Sequence, residues 1–303
     1  MIDYKKIIRS QKLRLKILEL LSFIPDKQMI QIQYKIKTGR KLNLKDPRRY
    51  TEKLQWYKLY YRDQLMAQCA DKYKVREYVK SKGLNYILND FYGVFKNESE
   101  IDFKKLPETF VLKTTNGGGG NNIIICDDRE KFDENEAKQL LKDWIKPRNK
   151  DYGREWVYYN SDTKIIAEKV LPRDKNNDLP DYKFYCFNGE VYCIHAIIDY
   201  VDDHSNGKIG FYDKFFNKMP FTRLEYKPIE SDLDKPKNLD KMIEIAEILS
   251  KDFPHVRVDL YNIEGQIIFG ELTFFTASGY TMFNPDEFDF ILGKQFELPE
   301  KSK

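Results

Sequence analysis

Three pairs of short β-type runs, each joined through a glycine-bearing turn, constrain this chain more than any other feature. The first is Thr109 to Lys113 (TFVLK), the loop Thr114 to Asn122 (TTNGGGGNN) and Ile123 to Cys126 (IIIC). The second joins Tyr182 to Phe187 (YKFYCF) to Val191 to Ile198 (VYCIHAII) through Asn188-Gly189, a pair that supplies the positive φ angles of a type I′ turn. The third joins Val256 to Tyr261 (VRVDLY) to Gln266 to Phe274 (QIIFGELTF) around Asn262 to Gly265. Between them lie helical stretches, Glu134 to Ile145 and Asn238 to Lys251, and a further strand, Lys164 to Leu171 (KIIAEKVL). Antiparallel hairpins interleaved with helices predict an α+β or α/β fold with mixed sheets.

A helical region precedes this body. Residues 4–24 place Ile7, Ile8, Leu13, Ile17, Leu20 and Leu21 at near-helical spacing with Lys5, Lys12, Arg14 and Lys16 between them, and Pro25 ends the pattern. Arg48 to Tyr60 is helical and aromatic, and Asp71 to Lys82 predicts another helix with Gly83 as its C-terminal stop. At 303 residues the chain has material for about two domains. The expected division is a basic helical region 1–66, a glycine-loop subdomain 67–166 and a C-terminal subdomain 167–303.

Charge excludes some functions. The net charge is +4, but residues 1–50 carry 14 Lys and Arg against 4 Asp and Glu, so the rest of the chain is acidic by six. A nucleic-acid enzyme carries its basic surplus on the catalytic body, so nucleic acid is excluded as the expected substrate. The surplus belongs instead to a packing or docking segment, with anionic lipid or an acidic partner as the sharper alternative to a solvated face. The longest apolar run, Ile17 to Ile24, is too short to span a bilayer and contains Glu19. The start lacks a secretory h-region and cleavage site, so the expected location is cytoplasmic, at most along the inner face of the plasma membrane. Cys69, Cys126, Cys186 and Cys193 lack metal or redox spacing and are expected to be reduced core thiols.

Three constellations could carry chemistry. Four consecutive glycines, Gly117, Gly118, Gly119 and Gly120, leave backbone N–H groups open to an anion, with Lys113 at the end of the preceding strand; a structural hairpin loop is the plainer alternative. Asp259 and Glu271 lie on the two strands of the third hairpin among apolar neighbours. Two such carboxylates need a cation or a shared proton; Mg²⁺ would meet that need, and pairing with a nearby base such as Arg257 is the plainer alternative. Glu168 ends an apolar strand, where its carboxylate could accept from an adenine amine or simply face solvent.

The order of these pieces is more specific than any one of them. Asp71-Lys72, VLK before the glycine loop, IIAEKV, DYKFYCFNG, VRVDLY and FGELTF together resemble the ATP-grasp superfamily, and within it the TupA-like ATP-grasp family of teichuronopeptide and capsular polysaccharide biosynthesis, over about Asp46 to Leu298. The resemblance implies two α+β subdomains clasping ATP. It implies Lys113 and Lys72 at the phosphates, Gly117 to Gly120 as a flap over them, and Glu168 with the backbone of Lys169 and Val170 at the adenine. Lys183, just after Asp181, would face the γ-phosphate or the substrate carboxylate, with Arg257 as the second candidate catalytic cation. Asp259, Glu271 and Thr273 would hold Mg²⁺, Thr273 standing where many relatives carry Asn. Phe275 to Gly279 (FTASG) departs from the expected TPGSG.

The implied activity is an ATP- and Mg²⁺-dependent carboxylate–amine ligase. A carboxylate takes the γ-phosphoryl group to give an acyl phosphate, and an amine displaces phosphate. The expected partners are a carboxylate-bearing sugar or polysaccharide precursor, such as a uronic acid, and an amine. No Cys or His nucleophile is required, so His195, His204 and His255 are expected to be ordinary residues. Two rivals are a glycosyltransferase, whose DxD would be Asp232-Leu233-Asp234, and a non-catalytic nucleotide- or glycan-binding scaffold.

Overall fold

The structure is a computed structural model that describes residues 10–117, 122–146, 152–159, 162–201 and 206–302. Helix α1 (Gln11–Leu20) starts where Ser10 Oγ accepts from Leu13 N at 3.3 Å, and a 3-10 turn leads to Pro25. The expected helical stretch thus ends at its proline, and the part over residues 4–9 lies outside the described residues. A second helix, α2 (Asp26–Thr38), stops at Gly39, whose φ of 74° only glycine adopts freely. Helix α3 (Tyr50–Tyr60) is held at its start by Glu52, which accepts from the N–H groups of Arg48 and Arg49 at 3.0 and 3.2 Å. Helix α4 (Gln64–Ala70) is capped by Asp63. Helix α5 (Val75–Ser81) is shorter than the sequence suggests, because Asp71 accepts from Tyr73 N and Lys74 N and spends its first turn on a cap.

The smaller sheet comprises β1 (Phe91–Phe95), β2 (Phe110–Thr114), β3 (Ile123–Cys126) and β4 (Ile165–Glu168), in the order β1-β4-β2-β3 with every pair antiparallel. Helix α6 (Glu134–Trp144) covers it, burying Ala137 and Leu141 against Phe103, Phe110, Leu112 and Ile165. This core is separate from the larger one, which explains how a small subdomain can hold its own shape.

The larger sheet runs β10-β7-β6-β5-β11-β12, with β8 also paired to β7. Its strands are β5 (Asp181–Phe187), β6 (Glu190–Ile198), β7 (Lys208–Tyr212), β8 (Lys218–Met219), β10 (Lys227–Pro228), β11 (His255–Ile263) and β12 (Gln266–Thr273). The β5–β6 turn has φ of 52° at Asn188 and 83° at Gly189, as the Asn-Gly pair predicts. The β11–β12 turn is tighter than the sequence suggests: Glu264 and Gly265 alone take positive φ, and Asn262 and Ile263 still pair across the hairpin.

Each face of the larger sheet has its own cover. Helix α7 (Leu239–Ser250) buries Met242, Ile245, Ala246 and Leu249 against one face, in the same core as Phe184, Val256 and Val258. Part of the other face is covered by α3 and by α8 (Glu287–Gln295), with a two-stranded ribbon of β9 (Thr222–Arg223) and β13 (Phe283–Asn284) beside them. Tyr50 is fully buried against Tyr185, Phe187 and His255, and its hydroxyl meets His255 Nε2 at 2.9 Å. Asp289 of α8, also fully buried, accepts from Thr51 N and Thr51 Oγ1 at 2.9 and 2.8 Å. Gly293 lets α8 approach the start of α3: a Cβ there would lie 2.1 Å from the Arg48 carbonyl oxygen. The N-terminal helical region is therefore partly built into the C-terminal core. All four cysteines are free and buried, and no helix among the described residues is long and apolar enough to cross a membrane.

Candidate active site

The face of the larger sheet that α3 and α8 partly cover also carries a row of polar side chains. Residues directly opposite one another on neighbouring strands share a face. Lys183 of β5 stands opposite His195 of β6 and Asp259 of β11, and Asp259 stands opposite Glu271 of β12. Four strands thus align His195, Lys183, Asp259 and Glu271 in one line. Lys183 Nζ donates to Asp259 Oδ2 at 2.7 Å and also reaches Asp181, two residues back on the same face. Arg257 clasps Asp259 with Nε to Oδ1 and Nη2 to Oδ2, both 2.7 Å, a bidentate fit.

Arg257 also reaches Thr273 Oγ1 at 3.1 Å and Glu271 at 3.5 Å, and Thr273 Oγ1 donates to Glu271 Oε1 at 3.0 Å. Burial opposes ionisation of Glu271, but Lys72, Arg257 and Lys183 outweigh it and hold its pKa at about 2. Burial likewise works against the Lys183 ammonium, and Asp181 and Asp259 reverse the outcome, so its pKa is raised. For Asp181, burial dominates, Asp259 adds to it and Lys183 only partly offsets it, leaving its pKa raised. Asp181 Oδ1 is a buried acceptor with no partner among the described residues.

The glycine loop joins this row through Lys72. Lys72 N donates to Thr115 O at 2.9 Å, and Lys72 Nζ donates to Gly117 O and to Glu271 Oε2, the latter at 3.3 Å. The base of the loop is thereby tied to a carboxylate of the opposite subdomain. Gly117 is described; Gly118, Gly119 and Gly120 lie outside the described residues. Lys113, on β2, donates to Glu168 Oε2 at 2.9 Å, and Arg76, which the sequence did not single out, lies 3.5 Å from Glu168 Oε1. The Lys169 backbone is engaged at both ends, N to Asp90 O at 3.0 Å and O from Asn89 Nδ2 at 2.8 Å; Val170 beside it is half-buried.

After β12 the chain makes an unusual turn. Ala277, Ser278 and Gly279 take φ of 47°, 53° and 71° in succession, a left-handed run that costs energy at the two non-glycine positions. Gln55 Nε2 holds it by donating to Ser278 O and Gly279 O at 2.9 and 2.8 Å, and Thr276 Oγ1 accepts from Arg257 Nη1 at 3.4 Å. Of the remaining candidates, Asp232 and Asp234 sit exposed in irregular chain. His195 and His255 are buried on strands, and His204 lies outside the described residues.

The sequence matches the family described as TupA-like ATPgrasp over residues 52–297. The chain belongs to that family, and its two α+β subdomains form an ATP-grasp fold. No curated protein matches it. Solved structures similar to it include a D-alanine–D-alanine ligase from Bacillus anthracis, 17% identical with a TM-score of 0.42, covering 68% of this chain and 56% of that one. Another is the ADP complex of purK, an N5-carboxyaminoimidazole ribonucleotide synthetase, at 15% identity and TM-score 0.43, with 69% and 46% covered. A biotin carboxylase from Campylobacter jejuni is similar at 12% identity and TM-score 0.42, with 78% and 48% covered. The chain spans about half the length of these structures.

Proposed function

We propose that this chain is an ATP-dependent carboxylate–amine ligase that acts through an acyl phosphate, on a carboxylate-bearing sugar or polysaccharide precursor of the bacterial cell surface. The observation that supports it is the row of Lys183, Asp259 and Glu271 beside Arg257, tied by Lys72 to the glycine loop. In it three carboxylates (Asp181, Asp259, Glu271) face three cations (Lys72, Lys183, Arg257). Such a balanced set can exchange partners: the cations turn to phosphate and acyl oxygens when nucleotide enters, and the carboxylates turn to a metal.

The donor set fits Mg²⁺. Asp259 and Glu271 stand opposite each other, Thr273 Oγ1 lies within hydrogen-bond distance of Glu271, and the Glu271 side chain keeps 33% of its exposure. No larger cage of acidic, His or Cys side chains exists among the described residues. Two facing carboxylates and a hydroxyl suit a cation commonly held by one or two carboxylates together with substrate phosphates. When bound, Mg²⁺ would neutralise phosphate charge.

Lys113 and Lys72 would take the α- and β-phosphates, the former leaving Glu168 to accept from the adenine amine. Gly117 to Gly120 would close over the phosphates, and the backbone around Lys169 and Val170 would flank the base. Lys183 and Arg257 would steady the γ-phosphoryl group and the attacking carboxylate, so that catalysis rests on positioning and charge. The carboxylate oxygen forms a bond to phosphorus as ADP leaves. The amine then attacks the acyl carbon, phosphate leaves, and an amide remains.

This reading includes the division into 1–66, 67–166 and 167–303. It also places the chain in the cytoplasm, with α1 at the membrane face, where Leu20 and Phe23 are 76% and 78% exposed beside the basic surplus. The test is ADP release with candidate uronic acids and amines. Turnover of a sugar nucleotide without ATP would overturn the reading.

A further inference from the structure

The charged row does not end at Lys183. Opposite it, His195 is fully buried, and neither ring nitrogen has a hydrogen-bond partner among the described residues. One residue pair further along the same face, the Tyr185 hydroxyl is also buried without a partner, its ring 6.4 Å from that of His195. Arg223 of the β9–β13 ribbon completes the group. Its side chain is 11% exposed, its Nε is buried with no hydrogen-bond partner among the described residues, and its ion pair with Glu225 is long, at 3.6 Å.

Unpaired buried polar atoms are rare because each costs about 1–3 kcal/mol. Here three side chains from β5, β6 and β9 leave such atoms in one neighbourhood: Arg223 stands opposite Phe283, whose ring lies 6.1 Å from that of Phe211, and Phe211 stacks on His195 at 4.7 Å. Burial keeps the imidazole neutral, and Arg223 is the strongest of the charges acting on it, ahead of Lys183 and Arg257. A neutral imidazole carries one N–H donor. The guanidinium Nε–H, which Glu225 Oε2 approaches only to 3.6 Å, the phenol and that imidazole N–H make three donors beside one acceptor, the other ring nitrogen; with the fixed charge of Arg223, the group that best meets the donors is an anion.

We infer that Arg223, His195 and Tyr185 form an oxyanion-binding subsite at the β6–β9 end of the row, taking an anionic group of the acid substrate other than the carboxylate that is activated. The inference rests on the ligase reading. At about 4.8 Å between strands, His195 lies roughly 10 Å across the sheet from Asp259 and about 14 Å from Glu271. That is too far for the carboxylate that must touch the γ-phosphate, so the subsite holds a second group. It selects substrates that carry two anionic groups, the remote one a carboxylate or a phosphate ester.

The test uses the full chain. Wild type and Arg223→Gln are titrated with succinate, D-glucuronate and inorganic phosphate, with the His195 ring nitrogens followed by NMR and MgADP affinity measured in parallel. At least one anion is expected to shift the His195 signals, and Arg223→Gln to weaken that anion at least tenfold while MgADP affinity stays within twofold. A response to succinate or glucuronate assigns a carboxylate, and a response to phosphate alone assigns a phosphate ester; either supports the subsite. If Arg223→Gln fails to fold, Tyr185→Phe carries the same comparison. His195 signals unmoved by all three anions, with MgADP bound normally, overturn the inference and leave water as the partner of these groups. Failure of wild type to bind MgADP strikes instead at the ligase reading.

Discussion

Replacing Asp259 by Asn tests the charge balance of the site directly. The side chain is 2% exposed and accepts three short hydrogen bonds, two from Arg257 and one from Lys183. Asn keeps the shape but removes the charge, leaving Arg257 with Thr273, Thr276 and the longer Glu271 contact, and Lys183 with Asp181 alone. Stranding a buried charge costs about 3–5 kcal/mol. At about 2–3 °C per kcal/mol for a chain of this size, Tm should fall by on the order of 6–15 °C. Removing Lys183 as well relieves part of that cost. The double variant Asp259→Asn/Lys183→Met should therefore be more stable than the sum of the single changes predicts, by about 1–3 kcal/mol. Wild type should gain about 2.7 kcal/mol from MgADP at a hundred times its Kd, and Asp259→Asn should lose most of that gain. Thermal and denaturant melts of wild type, the two single variants and the double variant, with and without MgADP, decide the matter. A Tm within about 2 °C of wild type, additive single changes, or an unchanged MgADP effect would each refute this account of the row.

Other perturbations isolate other parts. Lys72→Met cuts the link between the glycine loop and Glu271 and should weaken MgADP at least tenfold while costing no more than about 1 kcal/mol of stability, since the pair is partly exposed; calorimetric titration and melts read both. Gly293→Ala sets a methyl against the Arg48 carbonyl and should destabilise by about 1–3 kcal/mol as α8 is pushed from α3, seen in urea melts. His255 is buried, its Nδ1–H donates to Cys186 O and its Nε2 accepts from the Tyr50 hydroxyl, and burial lowers its pKa from 6.5 to about 3. Its folded value lies below its unfolded one, so its contribution is complete above pH 6.5. That contribution is lost, at up to about 1.4 kcal/mol per pH unit, as pH falls toward 3. His255→Asn should flatten the stability profile over that window.

Much of the local structure was legible because its causes are local. The Asn188-Gly189 turn follows from backbone sterics within two residues. The stop at Gly83, the buried stripe of α7 and the hairpins around Gly117 and Gly265 follow from short-range pattern. The turn after Ile263 was misjudged by two residues, because Asn262 keeps its strand conformation while its side-chain Oδ1 accepts from Gly265 N at 2.9 Å. Strand β1 carries no alternating signal, with Gly93 at its centre, and is made a strand by pairing with β4.

The site divides in the same way. The sequence by itself determined which residue types were available: a lysine at the end of β2, carboxylates on both strands of one hairpin, and a lysine two residues after an aspartate. That Asp259 and Glu271 would share a face was readable, since a short turn fixes the register of its own hairpin. Only the tertiary structure decided that the β5–β6 and β11–β12 hairpins would join through β5 and β11 and so put His195, Lys183, Asp259 and Glu271 in line, because pairing between strands more than 60 residues apart leaves no trace in local periodicity. It also decided that Arg223 from a two-residue strand would close the far end, and that α3 would wall the sheet instead of standing apart. Those contacts depend on burial shared by distant segments, a quantity no single stretch of sequence contains.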